Sequence, residues 1–427
     1  MHFTKALKKI SITILYNRKG EQKMKKKMIL SIVFIALACF LVACGQSEDD
    51  SKTQSAENKK PLKMWVGLNQ AGVYRELAKE FEEKNGVAVK VIEVEEADDA
   101  LLKDADAAAD VIRLPHDQLG QLVESGSVYE NEKYADQVTK ENIPMAIQAS
   151  SYKDKLYGYP ASTDAMFLYY DKRVYNEQDL RTLDSLTKKG KVGLNLAEAG
   201  ADYRLTPWFI ANGALLYGED GEDVTDTTLN NEQGLNVLKW VGNARKNPNI
   251  VALNADEISA LQDGKISALF SGVWNAQNVE KILGKNMGTV VYPKANFGDG
   301  EINLKAFSGV PIFVVNAATK NPSKAMDLAE FVTNKEAQLK VFKEINTVPS
   351  NKEARESETV QSDPLAKTVT EATTPEHSVL MPKLPEMKNF WPNMNALLVD
   401  SYEGVVKVDQ MQQKLDKLVR DVSKPAK

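Results

Sequence analysis

The chain has 427 residues, 43% hydrophobic and 26% charged, which is the composition of a globular protein long enough for two or three domains with substantial cores. Residues 1–43 contain nine Lys or Arg and one acid, so the rest of the chain has 45 basic and 58 acidic residues, a net charge of −13. An acidic body excludes nucleic acid as the expected partner, and three histidines leave little material for a His-rich metal site or a His-dependent triad.

The first 43 residues are predicted to be a signal region. Lys25, Lys26 and Lys27 precede an apolar run over 28–43, which is too short for a membrane span of about 20 residues and is typical of a secretory signal. Residues 1–23 do not fit such a signal. The codons of Lys19-Gly20-Glu21 can form a ribosome-binding sequence, so translation is predicted to start at Met24.

The signal region ends at a cysteine. Leu41-Val42-Ala43-Cys44 resembles the lipobox of bacterial lipoproteins, which implies a diacylglyceryl group on Cys44 after cleavage. The alternative is an ordinary signal with a chance cysteine. Residues 44–60 are polar and are predicted to be a disordered tether. Because Cys39 and Cys44 are the only cysteines, the body can form no disulfide, Cys-based zinc site or Cys nucleophile.

Strands alternate with helices at the start of the body. Strands are predicted at 62–66, 87–94 and 110–114, with helices over 73–81 and 97–108 between them. This alternation is typical of a doubly wound α/β sheet, in which ligands bind beyond the carboxyl ends of the parallel strands.

The alternation continues in the second half of the body. A long helix is expected over 230–246, and the stretch from about residue 363 is predicted to be almost wholly helical, interrupted by Met381-Pro382-Lys383-Leu384-Pro385. The further strands are predicted at 166–170, 192–196, 266–270, 289–292 and 310–316.

Aromatic residues near turns and strand ends are the most informative candidates. Trp274 follows a predicted strand and Trp391 stands in a Met-Lys-Asn-Phe-Trp-Pro segment, whereas Trp65 and Trp240 fall inside elements and are assigned to the core. Sugar rings stack on aromatic faces and hydrogen-bond to polar side chains, so a carbohydrate cleft needs both residue types. The P-loop, Rossmann, zincin and nucleophile-elbow motifs are absent from the sequence, which favours a binding protein over an enzyme.

Several segments together resemble the maltose/maltodextrin-binding proteins of ABC importers, over about residues 62–422. The most specific has the order P-x-x-P-x-M-x-x-F-W and begins at Pro382. The others are Ala109-Asp110-Val111-Ile112 with His116-Asp117, Lys155-Leu156-Tyr157-Gly158-Tyr159-Pro160, Gly272-Val273-Trp274 and Phe307-Ser308-Gly309-Val310.

This resemblance implies an α/β, two-lobed, periplasmic-binding-protein-like fold with a ligand cleft between lobes joined by three crossovers. Lobe one would comprise 61–162 plus 313–362, and lobe two 163–312 plus 363–427. It also implies a monomeric receptor without cofactor or metal, held at the outer face of the cell membrane, that delivers an oligosaccharide to an ABC permease and its cytoplasmic ATPase.

The resemblance also implies a set of sugar contacts. A contact after Asn195-Leu196 is expected to be aromatic and is assigned to Tyr203, with Arg204 as the other candidate, because an insertion around 199–201 leaves the register open. The polar contacts would be Asn69, Gln70, Asp117, Gln118 and Asp164, and the apolar and stacking wall would be Trp274, Met381 and Trp391.

Three positions depart from the family pattern. Leu114 stands where tight maltose binders have a tryptophan, Gln118 replaces an arginine, and Asn69 replaces an aspartate. These departures leave open a receptor for a different oligosaccharide. A surface glycoside hydrolase with Asp117 and Asp164 as its carboxylate pair, and an adhesin without a buried cleft, are the alternatives from other classes.

Overall fold

The computed structural model describes residues 60–254 and 257–424. The signal region, the lipidation candidate Cys44 and the tether as far as residue 59 lie outside the described residues, and their predictions stay untested. Among the described residues, no helix is both long and apolar enough to cross a membrane.

Two five-stranded sheets dominate the structure. The strands of the described residues are β1 (Leu62–Val66), β2 (Val89–Glu93), β3 (Val111–Pro115), β4 (Ser151–Tyr152), β5 (Lys155–Leu156), β6 (Tyr159–Pro160), β7 (Asp164–Ala165), β8 (Phe167–Asp171), β9 (Val192–Asn195), β10 (Ile250–Leu253), β11 (Ala268–Ser271), β12 (Met287–Val290), β13 (Lys294–Asn296), β14 (Glu301–Asn303), β15 (Ala306–Gly309), β16 (Pro311–Val315) and β17 (Ser378–Leu380).

The first sheet has the order β2-β1-β3-β16-β6 and the second the order β10-β9-β11-β8-β12. Each consists of parallel strands plus an antiparallel strand, β16 in the first sheet and β8 in the second. A three-stranded sheet, β17-β15-β7, is formed by segments that connect the two. The chain therefore passes from the first sheet to the second after β6 and returns between β15 and β16. The residue boundaries of the two lobes stay a prediction.

Helices alternate with the strands, as the hydrophobic periodicity predicts. They are α1 (Ala71–Asn85), α2 (Ala97–Lys103), α3 (Leu119–Glu124), α4 (Ala135–Glu141), α5 (Pro144–Ser150), α6 (Leu183–Lys189), α7 (Ala201–Ala211), α8 (Glu232–Ala244), α9 (Glu257–Gln262), α10 (Ala276–Leu283), α11 (Pro322–Phe331), α12 (Lys335–Ile345), α13 (Lys352–Arg355), α14 (Glu358–Gln361), α15 (Pro364–Ala372), α16 (Met387–Glu403) and α17 (Met411–Val422).

Local signals set several helix ends. Gly86 takes a positive φ of 67° and its N–H donates to the carbonyl of Glu82, so α1 ends where the Asn-Gly pair predicts. The α2 helix is shorter than the predicted 97–108, because the Asp104 backbone leaves the helical conformation and its side chain accepts from the N–H of Ala107.

The carboxyl-terminal stretch is less uniformly helical than the sequence predicts. Residues Ser378–Leu380 form β17, which pairs in parallel with β15. A three-residue strand has too little periodicity to be distinguished from a helical turn in the sequence, and only its pairing with residues about 70 positions away defines it.

Helices cover both faces of the first sheet. Along β3, Val111 packs into a core with Tyr74 and Phe81 of α1, while its neighbour Ile112 packs into a second core with Leu119 of α3. Successive side chains of a strand point to opposite faces of the sheet. A strand that is buried on both faces therefore has a continuous apolar sequence.

Candidate functional site

A cleft of about 480 Å³ lies where β1 and β3 of the first sheet end, facing segments of the second. Parallel strands end at the same edge of a sheet, so the loops that follow them converge there. The residues that line the cleft are Leu68, Asn69, Gln70, Arg113, Pro115, Asp164, Tyr203, Val273, Trp274, Gly309, Val310, Pro311, Ile345, Thr347 and Met381.

The structure brings together six of the ten predicted ligand contacts in this cleft. These six are Asn69, Gln70, Asp164, Tyr203, Trp274 and Met381. The four that do not line it are Asp117, Gln118, Arg204 and Trp391. The role of each in ligand binding stays a prediction.

The loop after β1 presents two amide side chains. Asn69 takes the left-handed conformation, with φ 62°, which asparagine adopts more readily than most residues. Gln70 follows at the start of α1, and its buried Oε1 has no hydrogen-bond partner among the described residues. A ligand hydroxyl placed there would satisfy that oxygen.

Asp164 supplies a half-buried carboxyl at the edge of β7. It lies opposite Gly309 of β15, where an added Cβ would come within 2.2 Å of Asp164 Oδ1, so a side chain at position 309 would displace the carboxyl. Burial raises the pKa of Asp164, while the positive charge of Arg113 and the backbone N–H of Gly309 oppose that rise. Asp164 is therefore positioned to accept hydrogen bonds from a ligand.

Asp117 and Gln118 interact with each other beside the cleft. Gln118 Nε2 donates to Asp117 Oδ2 over 3.1 Å, while Asp117 Oδ1 is buried without a partner among the described residues. Burial raises the pKa of Asp117 to about 7, with the negative charges of Asp98 and Asp164 acting in the same direction. Neither Asp117 nor Gln118 lines the cleft, and their part in ligand binding stays a prediction.

Tyr203 and not Arg204 reaches the cleft. The Tyr203 ring packs 5.9 Å from Phe307 and 6.4 Å from Trp391, measured between ring centroids. Arg204 Nη2 instead donates to Glu257 over 2.9 Å, and Glu257 also accepts from Ser271. Arg204 is thus engaged in a largely buried ion pair and does not line the cleft, and its part in ligand binding stays a prediction.

Trp274 presents a large aromatic surface to the cleft. Its side chain is 51% exposed, although tryptophan is usually mostly buried. The ring lies against the backbone of Gly272, where a Cβ would come within 2.1 Å of Trp274 Cζ3. The glycine therefore lets the indole fold back onto the chain.

Trp391 does not line the cleft. It is partly buried and packs against Phe307 at 5.8 Å, Phe390 at 5.4 Å and the cleft residue Tyr203 at 6.4 Å, and its role in ligand binding stays a prediction. Trp65 and Trp240 pack against the core, as the sequence predicts.

His116 holds Met381 at the cleft. The backbone N–H of Val310 donates to His116 Nδ1 over 3.2 Å, so Nε2 carries the proton and donates to the carbonyl of Met381 over 3.0 Å. Burial lowers the pKa of His116 to about 3, which keeps the ring neutral. This histidine joins the end of β3 to a segment 265 residues away.

Sequence reasoning missed several cleft residues, chiefly Arg113, Ile345 and Thr347. A cation within the apolar run Val-Ile-Arg-Leu-Pro was a usable signal for Arg113. Leu114, expected at the sugar face, is instead 2% exposed and packed in the core. Nothing in the sequence marks Thr347, which follows the end of α12.

The cleft combines an exposed indole, a tyrosine, amides, a carboxyl and a guanidinium. That mixture suits stacking on and hydrogen bonding to a polyhydroxylated ligand. No group of three or more His, Cys, Asp or Glu within residues 60–254 and 257–424 is placed to hold a metal ion.

Known proteins share the architecture of this chain. The chain is 27% identical over 396 residues to a galactooligosaccharide-binding protein of Bacillus subtilis, covering 88% of this chain and 92% of that protein. It is 26% identical to a maltooligosaccharide ABC transporter solute-binding lipoprotein of Streptococcus pneumoniae, covering 89% and 93%. The solved structure of a maltodextrin-binding protein from L. casei without ligand superposes with a TM-score of 0.82 at 33% identity, covering 86% of this chain and 99% of that one.

These similarities confirm the predicted two-lobed α/β fold and the expectation of a binding protein, not an enzyme. The bacterial extracellular solute-binding protein family matches residues 76–368, most of the described body. The chain belongs to the family of bacterial extracellular solute-binding proteins.

Proposed function

We propose that this protein captures a maltodextrin-type oligosaccharide in the cleft and delivers it to an ABC importer. The exposed Trp274 beside Tyr203, Asp164 and Gln70 is the observation that carries the proposal, because sugar recognition needs an aromatic face next to polar groups. The maltodextrin and maltooligosaccharide binders among the similar proteins support it. A ligand that contacts both sides of the cleft would favour a closed arrangement of the lobes.

We expect maltotriose and longer maltodextrins to bind about tenfold or more tightly than maltose, which is about 1.4 kcal/mol. Leu114 is buried and is not aromatic, so this position offers a disaccharide no stacking, and the Gln118 amide already donates to Asp117. Longer chains would extend along Trp274. Titration calorimetry of the purified protein with two- to seven-unit maltodextrins measures this, and equal affinities would contradict it.

A galactooligosaccharide is the second candidate ligand, because a relative of that name has an identity of 27% with this chain. A thermal-shift screen with both sugar classes distinguishes the two, since a ligand at a hundredfold excess over its Kd stabilises by about 2.7 kcal/mol. A shift with galactooligosaccharides alone would replace the maltodextrin assignment.

The finer features of location and assembly belong to the same proposal. The protein would be held at the outer face of the cell membrane by a lipid on Cys44, with a permease and a cytoplasmic ATPase as its partners, and would act as a monomer. The lipobox-like Leu41-Val42-Ala43-Cys44 and the word lipoprotein in the pneumococcal relative's name support the anchor.

The Cys44→Ala variant should lose membrane attachment, because the thiol that would carry the lipid is gone. We expect it in the medium or as an uncleaved precursor, with no incorporation of labelled palmitate. A Cys39→Ala variant is the matched control and should stay in the membrane fraction. Unchanged membrane retention of a processed Cys44→Ala protein would refute the anchor.

A further inference from the structure

Arg113 is a cation at the floor of the cleft. It lies in β3 opposite Phe313 of β16, and its neighbours Ile112 and Leu114 are buried on the other face of the strand. The alternation of side chains along a strand directs Arg113 away from that core. It is the only Arg or Lys among the residues that line the cleft.

The guanidinium of Arg113 has hydrogen-bonding capacity that the protein does not use. Its Nε is buried without a hydrogen-bond partner among the described residues, and the group forms no salt bridge among them. Arg355, another inward-facing arginine, donates to Thr163 and Thr373 and serves the packing of the protein. Arg113 has no comparable structural role.

Two neutral polar atoms of residues that line the same cleft also lack a hydrogen-bond partner. Gln70 Oε1 and Thr347 Oγ1 are buried and have no partner among the residues that the structure describes. A buried polar group that lacks a hydrogen bond costs about 1–3 kcal/mol, so a ligand that supplies the missing partners gains that energy. Arg113 donates, Gln70 Oε1 accepts and the Thr347 hydroxyl does either.

We propose that Arg113 is a specificity-determining ligand contact, whose guanidinium binds two adjacent hydroxyl oxygens of one neutral sugar ring between Gln70, Asp164 and Thr347. The proposal rests on the function proposed above and adds a contact to its site. A guanidinium presents parallel N–H donors in a fixed fork, a geometry suited to a pair of neighbouring oxygens. Asp164 balances its charge.

That charge balance selects against anionic sugars. A uronic acid carboxylate near Arg113 would also approach Asp164, and the negative charges would repel each other. The subsite is therefore assigned to a neutral sugar, with the hydroxyl pair as the recognised feature.

The test compares Arg113→Gln and Arg113→Lys with Arg75→Gln, an exposed position on α1 outside the cleft. Calorimetry would use whichever neutral trisaccharide the unchanged protein binds most tightly, either maltotriose or a galactotriose. Arg113→Gln should weaken binding at least tenfold. Arg113→Lys should recover less than half of that loss in binding free energy, because an ammonium group lacks the parallel N–H donors of a guanidinium. Arg75→Gln should leave the affinity unchanged.

Three results would overturn the inference. They are an unchanged affinity of Arg113→Gln, a melting temperature that falls in parallel with the affinity, and tighter binding by the unchanged protein of a trisaccharide that ends in glucuronic acid. If the unchanged protein binds no oligosaccharide at all, the proposed function fails and this inference fails with it. Normal binding by the unchanged protein and by Arg113→Gln sinks the inference alone.

Discussion

The Lys383→Met variant should lose about 3 kcal/mol of unfolding free energy. Lys383 is 1% exposed, and its Nζ donates to the carbonyls of Gln148 over 2.8 Å and Ser151 over 2.6 Å. It also forms a salt bridge of 2.6 Å with Glu222. Methionine preserves most of the side-chain volume. The loss of unfolding free energy therefore comes from the carbonyls of Gln148 and Ser151 and the carboxylate of Glu222, which no longer have a partner in Lys383.

Urea denaturation measures this loss against a matched control. Lys388 lies five residues further on, with its side chain 56% exposed and its ion pair to Asp99 at 3.4 Å. Exposed pairs contribute about 0–1 kcal/mol, so Lys388→Met should change the stability little. A Lys383→Met loss no larger than that of the control would show that the buried lysine is not needed for stability.

Lys383 matters for the site because it secures the segment that carries Met381. The carbonyl of Lys383 lies so close to Gly120 that a Cβ there would come within 2.2 Å of it. The segment is thus packed tightly against α3 and bonded to α5, and Glu222 follows α7 in the second half of the chain. We expect ligand affinity to fall in Lys383→Met only to the extent that the folded fraction falls.

The Trp274→Ala variant should bind its oligosaccharide about thirtyfold more weakly, a loss of about 2 kcal/mol. Stacking contributes about 0.5–1.5 kcal/mol and the lost apolar contact supplies the rest. Because Trp274 is 51% exposed, the unfolding free energy of the ligand-free protein should change little. Calorimetry gives the affinity, and thermal unfolding without ligand checks the fold.

Two other tryptophans serve as controls for Trp274. Trp240 packs 5.5 Å from Trp208 and 5.9 Å from Phe297 outside the cleft, so Trp240→Ala should lower stability and leave the affinity unchanged. Trp391→Ala should weaken binding about fivefold, since its ring acts through Tyr203. A full-affinity Trp274→Ala protein would remove the indole from the site.

The sequence alone determined the alternation of strands and helices and the position of Trp274 after a strand. Both follow from residues within a few positions of each other: apolar periodicity defines an element, Gly86 ends α1 in the left-handed conformation, and Gly272 leaves space for the Trp274 ring. The resemblance of several short segments was sufficient to predict the family, the two-lobed fold and the existence of a cleft.

The tertiary structure decided which side chains the cleft contains. Tyr203 and Arg204 are adjacent in sequence, and only the buried partner Glu257, 53 residues away, assigns Arg204 to the interior. Leu114 is likewise buried in the core that Leu119 of α3 shares, while Arg113, which points to the other face of β3, lines the cleft. Whether a side chain lines the cleft or is buried depends on contacts between segments that are distant in sequence. The free energy of burying or pairing that side chain is therefore set only when those segments pack together.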